Sequence, residues 1–441
     1  DGMKEKNNTF YIETYGCTSN QADSKIISQI LMDAGYKKAD IENANFIIIN
    51  TCGVKQQTEN KIKRRLRELH ELYKNNKHKH VIIAGCLPHI APDYLELVRK
   101  IIPSHAAILG LNTFQEIPSL FEQIKQGNRN IFVKSNKKID KARFLIKHSH
   151  DTVTGIIPIS EGCLGNCTYC CVKNARGHLK CYDPGKIVEN VKSQLNQGIK
   201  EILLTSQDCS VYKYRNTDLK DLIIRISRLD HEFFLRIGMI NPAFLINNFE
   251  QLLTIFKSDK VYQFLHLPIQ AGSDKILKKM KRPYTITTLL DKIDLLRKEF
   301  PFLTFSTDII CGFPGETEHD FYKTINVIKW LRPEIINISK FTPRPNTEAK
   351  NMEQVDSKII KERSKRLSAV FRIYLEHLND KWKGWKGKML CLYHDEKNHY
   401  TYGRNFAYKN ILLPNIKIHP GTFIKVSIQE VDGANLIGTP Y

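Results

Sequence analysis

Long apolar runs are missing from this chain. No uninterrupted stretch approaches the roughly 18 apolar residues that a membrane-spanning helix needs. No early segment resembles a signal peptide, and the chain reaches Tyr441 without a hydrophobic tail. These absences lead to the expectation of a cytosolic protein without membrane contact. The opening Asp1, Gly2 and Met3 read as an expression remnant and are set aside. Cysteine is also sparse: eleven in 441 residues are too few and too spread out for a disulfide scaffold. Acidic residues are short in number, 46 against 67 lysines and arginines, a net charge of +21. That excess favours a polyanionic partner, nucleic acid before anionic membrane. Apolar content of 41% and charged content of 26% exclude general disorder.

What is present is an α/β rhythm, and the expected fold class is α/β throughout. Over residues 8–130 the apolar runs "TFYIETYGC", "ANFIIINTC", "KHVIIAGC" and "AAILGL" alternate with helical stretches near 21–35, 54–75 and 114–126, the signature of buried parallel strands. Each of the first three runs ends in a cysteine: Cys17, Cys52 and Cys86, at intervals of 35 and 34 residues. One βαβ unit has about that length, and sites in parallel sheets form at the carboxyl ends of strands. The three cysteines are therefore expected at one sheet edge. Three buried structural cysteines are the alternative.

Residues 149–380 repeat the rhythm about six times. Strands are expected at "GIIPISEGC", "EILLTSQD", "FFLRIGMI", "FLHLPIQ", "FSTDIICGFPGE" and "INISKFTPRP". This is the pattern of a partial (β/α)6 barrel, worked at its strand C-termini. A helix with one apolar stripe over 354–380 reads as packing. Residues 381–441 change to short alternating runs divided by Gly, Pro and Asn, a small β-barrel. It carries nine basic against four acidic residues and the aromatics Trp382, Trp385, Tyr400, Tyr402, Phe406 and Tyr408. Basic residues interleaved with aromatics suit RNA, where phosphate contacts and stacking combine.

The densest chemistry is "ISEGCLGNCTYCCVKNARGHLKC". Cys163, Cys167 and Cys170 are spaced C-x3-C-x2-C. Structural zinc takes four ligands; Cys171 is a poor fourth, and Cys181 could reach in from a loop. A 4Fe–4S cluster on three cysteines leaves one iron open to a substrate or cofactor, and this loop follows the first strand of the barrel-like region.

With Tyr169 before its third cysteine, the motif resembles the radical S-adenosylmethionine (SAM) superfamily. The whole arrangement resembles the radical-SAM methylthiotransferase family: an N-terminal three-cysteine domain, a radical-SAM partial barrel and a C-terminal TRAM β-barrel. "YGCTSNQADS", "NTCGVKQQTENK", "AGCLP", "GCLGNCTYCCVKNARG", "PIQAGSDKILKKMKR", "TDIICGFPGET" and "FTPRPNT" carry the likeness. "LTSQDCSVY" and "RIGMINP" resemble the archaeal and eukaryotic branch acting on N6-threonylcarbamoyladenosine in tRNA. Eukaryotic relatives often carry a membrane tail that this chain lacks.

The resemblance implies two 4Fe–4S clusters and SAM. Cys163, Cys167 and Cys170 would hold the cluster that binds SAM and splits it to a 5′-deoxyadenosyl radical. Cys17, Cys52 and Cys86 would hold an auxiliary cluster carrying the sulfur to be methylated and inserted at C2 of the adenine. SAM or nucleoside contacts are expected from Tyr169, Gln207, Asp208, Arg236 (on the SAM carboxylate), Gln270, Gly312, Gly315 and Glu316. Asn20 and Asp23 would support the auxiliary site and substrate, unless they merely cap a helix. Arg176, Arg344 and the helix "KIKRRLR" (Lys61–Arg67) would meet RNA. An electron donor, a sulfur donor and a monomeric state complete the expectation. The competing readings are the same chemistry on isopentenyladenosine tRNA or a ribosomal-protein aspartate, and a non-catalytic RNA-binding protein stabilised by zinc.

Overall fold

The computed structural model describes residues 8–135 and 137–441, so the opening tripeptide lies outside the described residues. The first unit is a parallel sheet of β1 (Thr9–Thr14), β2 (Phe46–Thr51), β3 (His80–Gly85), β4 (Ala107–Leu109) and β5 (Ile131–Val133). The two-residue strand Lys37–Lys38 flanks β1 on its outer side. Every residue of β2 and β3 is buried, because helices cover both faces. Phe46, Ile48, Ile82 and Ala84 turn towards α1 (Thr18–Asp33) and Ile117–Lys125. Ile47, Ile49, Val81 and Ile83 turn towards α2 (Gln56–Tyr73) and Tyr94–Ile101. Continuous Ile/Val runs form strands here because β-branched side chains pack well on both pleated faces.

Strand order reverses between β1 and β2: the chain leaves β1 for the edge strand, then returns to the other side of β1. Such a switch point opens a crevice at the carboxyl strand ends. Cys17 and Cys52 stand on its two sides.

The central unit has six parallel strands in chain order: β6 (Thr154–Pro158), β7 (Glu201–Thr205), β8 (Phe234–Ile237), β9 (Phe264–His266), β10 (Thr304–Cys311) and β11 (Ile335–Lys340). Two three-stranded sheets meet through the parallel bridge of Leu235 with Val261. The strands curve into a half-barrel whose free edges are β6 and β11. All six expected strands are there. The N-terminal unit bridges the open side: α1 packs on β6, and α2 is tied to the segment after β11 through Arg344 and Glu59.

A closed five-stranded barrel follows the helix Ser357–Leu378, in the order β12 (Lys386–Asp395), β13 (Tyr400–Arg404), β14 (Asn410–Pro414), β16 (Asn435–Pro440), β15 (Phe423–Asp432). It closes the half-barrel's floor. Leu390, Tyr408 and Phe423 pack on Val153, Phe234, Tyr262 and Phe264 at the N-terminal strand ends, and Arg404 pairs with the buried Glu201. This corrects the reading of its aromatics. Trp382 is fully buried, and Trp385, Phe406 and Tyr408 pack in the interior or against the floor. The exposed rings are Tyr393, 46% exposed, and Tyr441; Tyr400 is half-buried, as is Tyr402, which stacks on Tyr393 at 4.9 Å.

Candidate active site

The three strand-end cysteines are drawn together by the backbone. Cys17 stands at the N-cap of α1. Gly16 before it has φ +97°, and a Cβ there would lie 2.8 Å from the Cys52 sulfur; only glycine permits that approach. Asn20 Nδ2 donates to the carbonyls of Tyr15 (2.7 Å) and Thr51 (2.9 Å), stapling the loop before Cys17 to the one before Cys52. Thr51 Oγ1 donates to the Ala84 carbonyl at 2.6 Å, and the Cys86 amide donates to the Thr51 carbonyl at 3.0 Å, so the third loop joins the other two. Burial pushes the Cys52 thiol up to about 11, with Cys86 and Cys17 adding to the rise. Burial also raises Cys86, against the pull of Arg176.

The second triad lies on the loop between β6 and the short helix Val172–Arg176. The Gly165 amide donates to Cys163 Sγ at 3.2 Å, and a Cβ on Gly165 would lie 3.3 Å from that sulfur and 3.8 Å from Cys167 Sγ. The loop thus wraps its first two sulfurs around one small hollow. Thr168 fastens it, donating from Oγ1 to the Lys279 carbonyl and from its amide to that of Met280. Arg282, to which the sequence reading gave no role, donates to Cys167 Sγ at 3.4 Å and to the Pro268 carbonyl at 2.9 Å. Its signal was the "KR" closing "PIQAGSDKILKKMKR" just before Pro283.

The loops that carry the two triads are in contact. Cys171 Sγ donates to the carbonyl of Gly53, the residue after Cys52, at 3.2 Å. Gln207 accepts from the Gly162 amide at 2.7 Å and donates to Ser19 Oγ at 3.3 Å, spanning the loops that carry Cys163 and Cys17. Arg176 donates to Cys86 Sγ at 3.3 Å.

Four expected substrate contacts are corrected by burial. Arg176, Asp23, Asn20 and Arg344 are each at least nine-tenths buried. Arg176 and Lys141 pair with Asp23 and Glu161 in a closed tetrad of 2.7–3.0 Å contacts. Glu161 stays ionised because Lys141 and Arg176 outweigh its burial. Arg344 donates to Glu59 at 2.5 Å and to the Gly53 carbonyl at 2.7 Å. None of the four is free to meet a phosphate; they hold the two units together. In "KIKRRLR", Arg65 is tied to Glu13 and Lys63 to Glu59, leaving Lys61, Arg64 and Arg67 exposed.

The expected SAM contacts divide. Tyr169 lies in the cluster loop with its ring edge-on to Phe313 at 6.3 Å. Asp208 is buried, accepting from the Ser210 amide at 3.0 Å, with its carboxyl raised by burial; it lies close enough to raise Cys163. Gln270 holds a left-handed backbone (φ +75°) in a bridge to Ile309 beside the rim. Arg236 is corrected: its guanidinium turns to the floor, donating to Tyr408 of the C-terminal barrel at 2.9 Å, away from the rim where SAM would lie. The glycine cradle is corrected too. A Cβ on Gly312 would strike Ile360 at 2.2 Å and one on Gly315 would meet Lys279 at 2.1 Å, so side chains fill that space. Glu316 closes the turn on the Gly312 amide and Arg363; burial pushes it up to about 7.

A half-barrel with a C-x3-C-x2-C loop at its carboxyl rim defines a radical-SAM protein. The radical SAM superfamily matches residues 157–328, and a family described as uncharacterized protein family UPF0004 matches residues 9–110. A probable threonylcarbamoyladenosine tRNA methylthiotransferase of Pyrococcus horikoshii is 38% identical over 432 residues, covering 97% of this chain and 98% of that protein. The threonylcarbamoyladenosine tRNA methylthiotransferase of Drosophila melanogaster is 32% identical over 97% of this chain and 77% of its own. Among solved structures, the radical SAM methyltransferase TsrM of Kitasatospora setae superposes with TM-score 0.59 at 13% identity, covering 78% of this chain and 74% of that one. The chain belongs to the threonylcarbamoyladenosine tRNA methylthiotransferases, enzymes of the radical-SAM class.

That class implies a 4Fe–4S cluster and SAM, and the loop fits them: three thiols on one fastened loop, two of them around one small hollow, with a guanidinium on the second sulfur. Among the described residues no three His, Cys, Asp or Glu side chains are gathered tightly enough for a single metal ion. Among the described residues no helix is long and apolar enough to cross a membrane.

Proposed function

We propose that this enzyme adds a methylthio group to C2 of N6-threonylcarbamoyladenosine at position 37 of tRNA, beside the anticodon. The observation that carries the reading is the contact between the loops of two cysteine triads, through Gln207, Arg176 and the Cys171–Gly53 hydrogen bond. One triad alone suffices to cleave SAM. A second, supplied by another sheet and built on a switch point, is what sulfur insertion requires beyond it. Cys163, Cys167 and Cys170 would hold the SAM-binding cluster, and Cys17, Cys52 and Cys86 an auxiliary 4Fe–4S cluster. When bound, the first group with SAM supplies a radical able to take the C2 hydrogen, which no side-chain acid or base can remove.

This chain's own residues orient and enclose. Arg282 and Thr168 fix the cluster loop. Tyr169, Gln270 and Asp208 remain the rim groups closest to hand for SAM. The tetrad around Arg176 fixes the distance between the triads. Divided at 8–130, 149–380 and 381–441, the chain would assign auxiliary site, radical chemistry and RNA contact to separate units. It would act as a cytoplasmic monomer, with the electron and sulfur donors supplied from outside.

The test is a reaction of reconstituted protein with SAM, dithionite, sulfide and tRNA carrying threonylcarbamoyladenosine, followed by nucleoside mass spectrometry. The expected product gains one sulfur and one methyl group on that nucleoside. Product only on isopentenyladenosine tRNA, or on no tRNA, removes the assignment.

A further inference from the structure

Buried away from solvent, Arg176 has a different role open to it. Its guanidinium is committed on every side: Nη1 donates to Asp23 Oδ2 (3.0 Å) and Glu161 Oε1 (2.7 Å), Nη2 to Asn20 Oδ1 (2.6 Å), and Nε to Cys86 Sγ (3.3 Å). The residue is 4% exposed. Asn20 itself staples the loops before Cys17 and Cys52, so the arginine is locked by the same framework that gathers the triad. Two cations and two carboxylates balance within the tetrad, and the Nε edge is left over for sulfur. Hydrogen bonds to cluster sulfurs stabilise the more negative, reduced state and raise the reduction potential. Held at one distance by two carboxylates, the donor would act in either redox state without rearrangement.

Resting on the auxiliary-cluster reading above, we propose that Arg176 is a fixed hydrogen-bond donor to the Cys86 thiolate of the auxiliary cluster and raises its reduction potential. It is a positioning residue. It is contributed by the helix that follows the other triad, only six positions beyond Cys170, so the element that anchors one cluster loop tunes the other cluster.

The experiment uses the full-length chain with Cys163, Cys167 and Cys170 all replaced by Ala, which leaves the auxiliary triad alone. Iron content and the midpoint potential, followed by electron paramagnetic resonance, are read in this background. The same readings follow for R176Q/E161Q, which removes the donor and keeps the buried charge balanced, and for K141Q/E161Q, which removes an equal charge pair and keeps the donor. R176K retains the cation without Nε. About four irons per chain are expected in the background. The potential should shift negative in R176Q/E161Q, shift less in R176K and stay in place in K141Q/E161Q. An unmoved potential in R176Q/E161Q, or an equal shift in both double variants, overturns the proposal while the auxiliary cluster stands. Loss of iron from both Arg176 variants alone makes the residue structural and overturns the tuning role. A background without iron overturns the auxiliary-cluster reading and the proposal with it.

Discussion

Cys163, Cys167 and Cys170 sit on one fastened loop, whereas Cys17, Cys52 and Cys86 come from three separate strand ends, so their substitutions should separate two steps. Any of the first three replaced with Ala is expected to abolish 5′-deoxyadenosine formation; normal formation in such a variant sinks the assignment of that loop. Any of the second three is expected to leave SAM cleavage measurable and stop thiolation, so undiminished methylthio product would remove their role. Gly16→Ala tests the gathering of the second triad without touching a thiol. A left-handed alanine costs about 1–2 kcal/mol, and its Cβ would lie 2.7 Å from that of Cys52. Iron per chain should fall towards half while 5′-deoxyadenosine persists; unchanged iron would mean that the sheet edge adjusts freely. The gathering of Cys17, Cys52 and Cys86 at one sheet edge was legible in the sequence because their strand-end spacing exposes it. The roles of Arg176, Arg344, Asn20 and Asp23 were not. A charged residue reads as surface until its partner is known, and the partner of Asp23 is Lys141, 118 residues away.

At the scale of elements, apolar runs located all six strands of the half-barrel and the first four of the N-terminal sheet. What escaped were Lys37–Lys38 and Ile131–Val133, too short to show any period, and Tyr94–Ile101, a two-turn helix. The edge strand matters, since it places the switch point beside Cys17. Strand β3 also carries an acid-sensitive group. His80, at its start, is buried against Phe46 at 5.3 Å, and burial holds its imidazole down to about 4. An unfolded histidine takes up its proton near 6.5, so the unfolded chain binds more protons across that window. Stability from this group is therefore complete above about pH 6.5 and is lost as pH falls towards 4, by about 3 kcal/mol at most. Half-buried His89 and buried His105 are shifted in the same direction. His80→Phe, which keeps the ring on Phe46, should narrow the gap between thermal midpoints at pH 7.5 and pH 5.0. An unaltered gap would place the acid sensitivity elsewhere.

Across the whole molecule, the three units form a stack: N-terminal sheet with the strand-end triad above, half-barrel between, closed barrel on the floor. Composition and pattern announced the charge and the three-part order, but not this docking, because the partners are far apart in sequence: 203 residues for Arg404–Glu201 and 172 for Tyr408–Arg236. The docking changes how RNA contact must be tested. Removing residues 381–441 would bare Phe234, Tyr262 and Phe264 and uncouple Arg236 and Glu201, so loss of binding after truncation would mix unfolding with lost contacts. Substitution on the barrel's outer surface avoids this. Lys386, Lys397 and Lys425 are exposed, none of them holds a carboxylate among the described residues, and Tyr393 offers an open ring. If this surface lies on the tRNA backbone, each lysine released from a phosphate should reduce the slope of log K against log salt by about 0.7–0.9. K386Q/K397Q/K425Q is then expected to flatten the slope by about two units if two or more lysines touch phosphates, and Tyr393→Ala to weaken binding by about 1–3 kcal/mol with the slope unchanged, as loss of a stacking platform would. 5′-Deoxyadenosine formation without tRNA should stay at the wild-type rate in both variants, since neither reaches the rim. An unchanged slope in the lysine variant would leave the barrel as the floor of the enzyme and move the RNA contact to the exposed Lys61, Arg64 and Arg67 of α2.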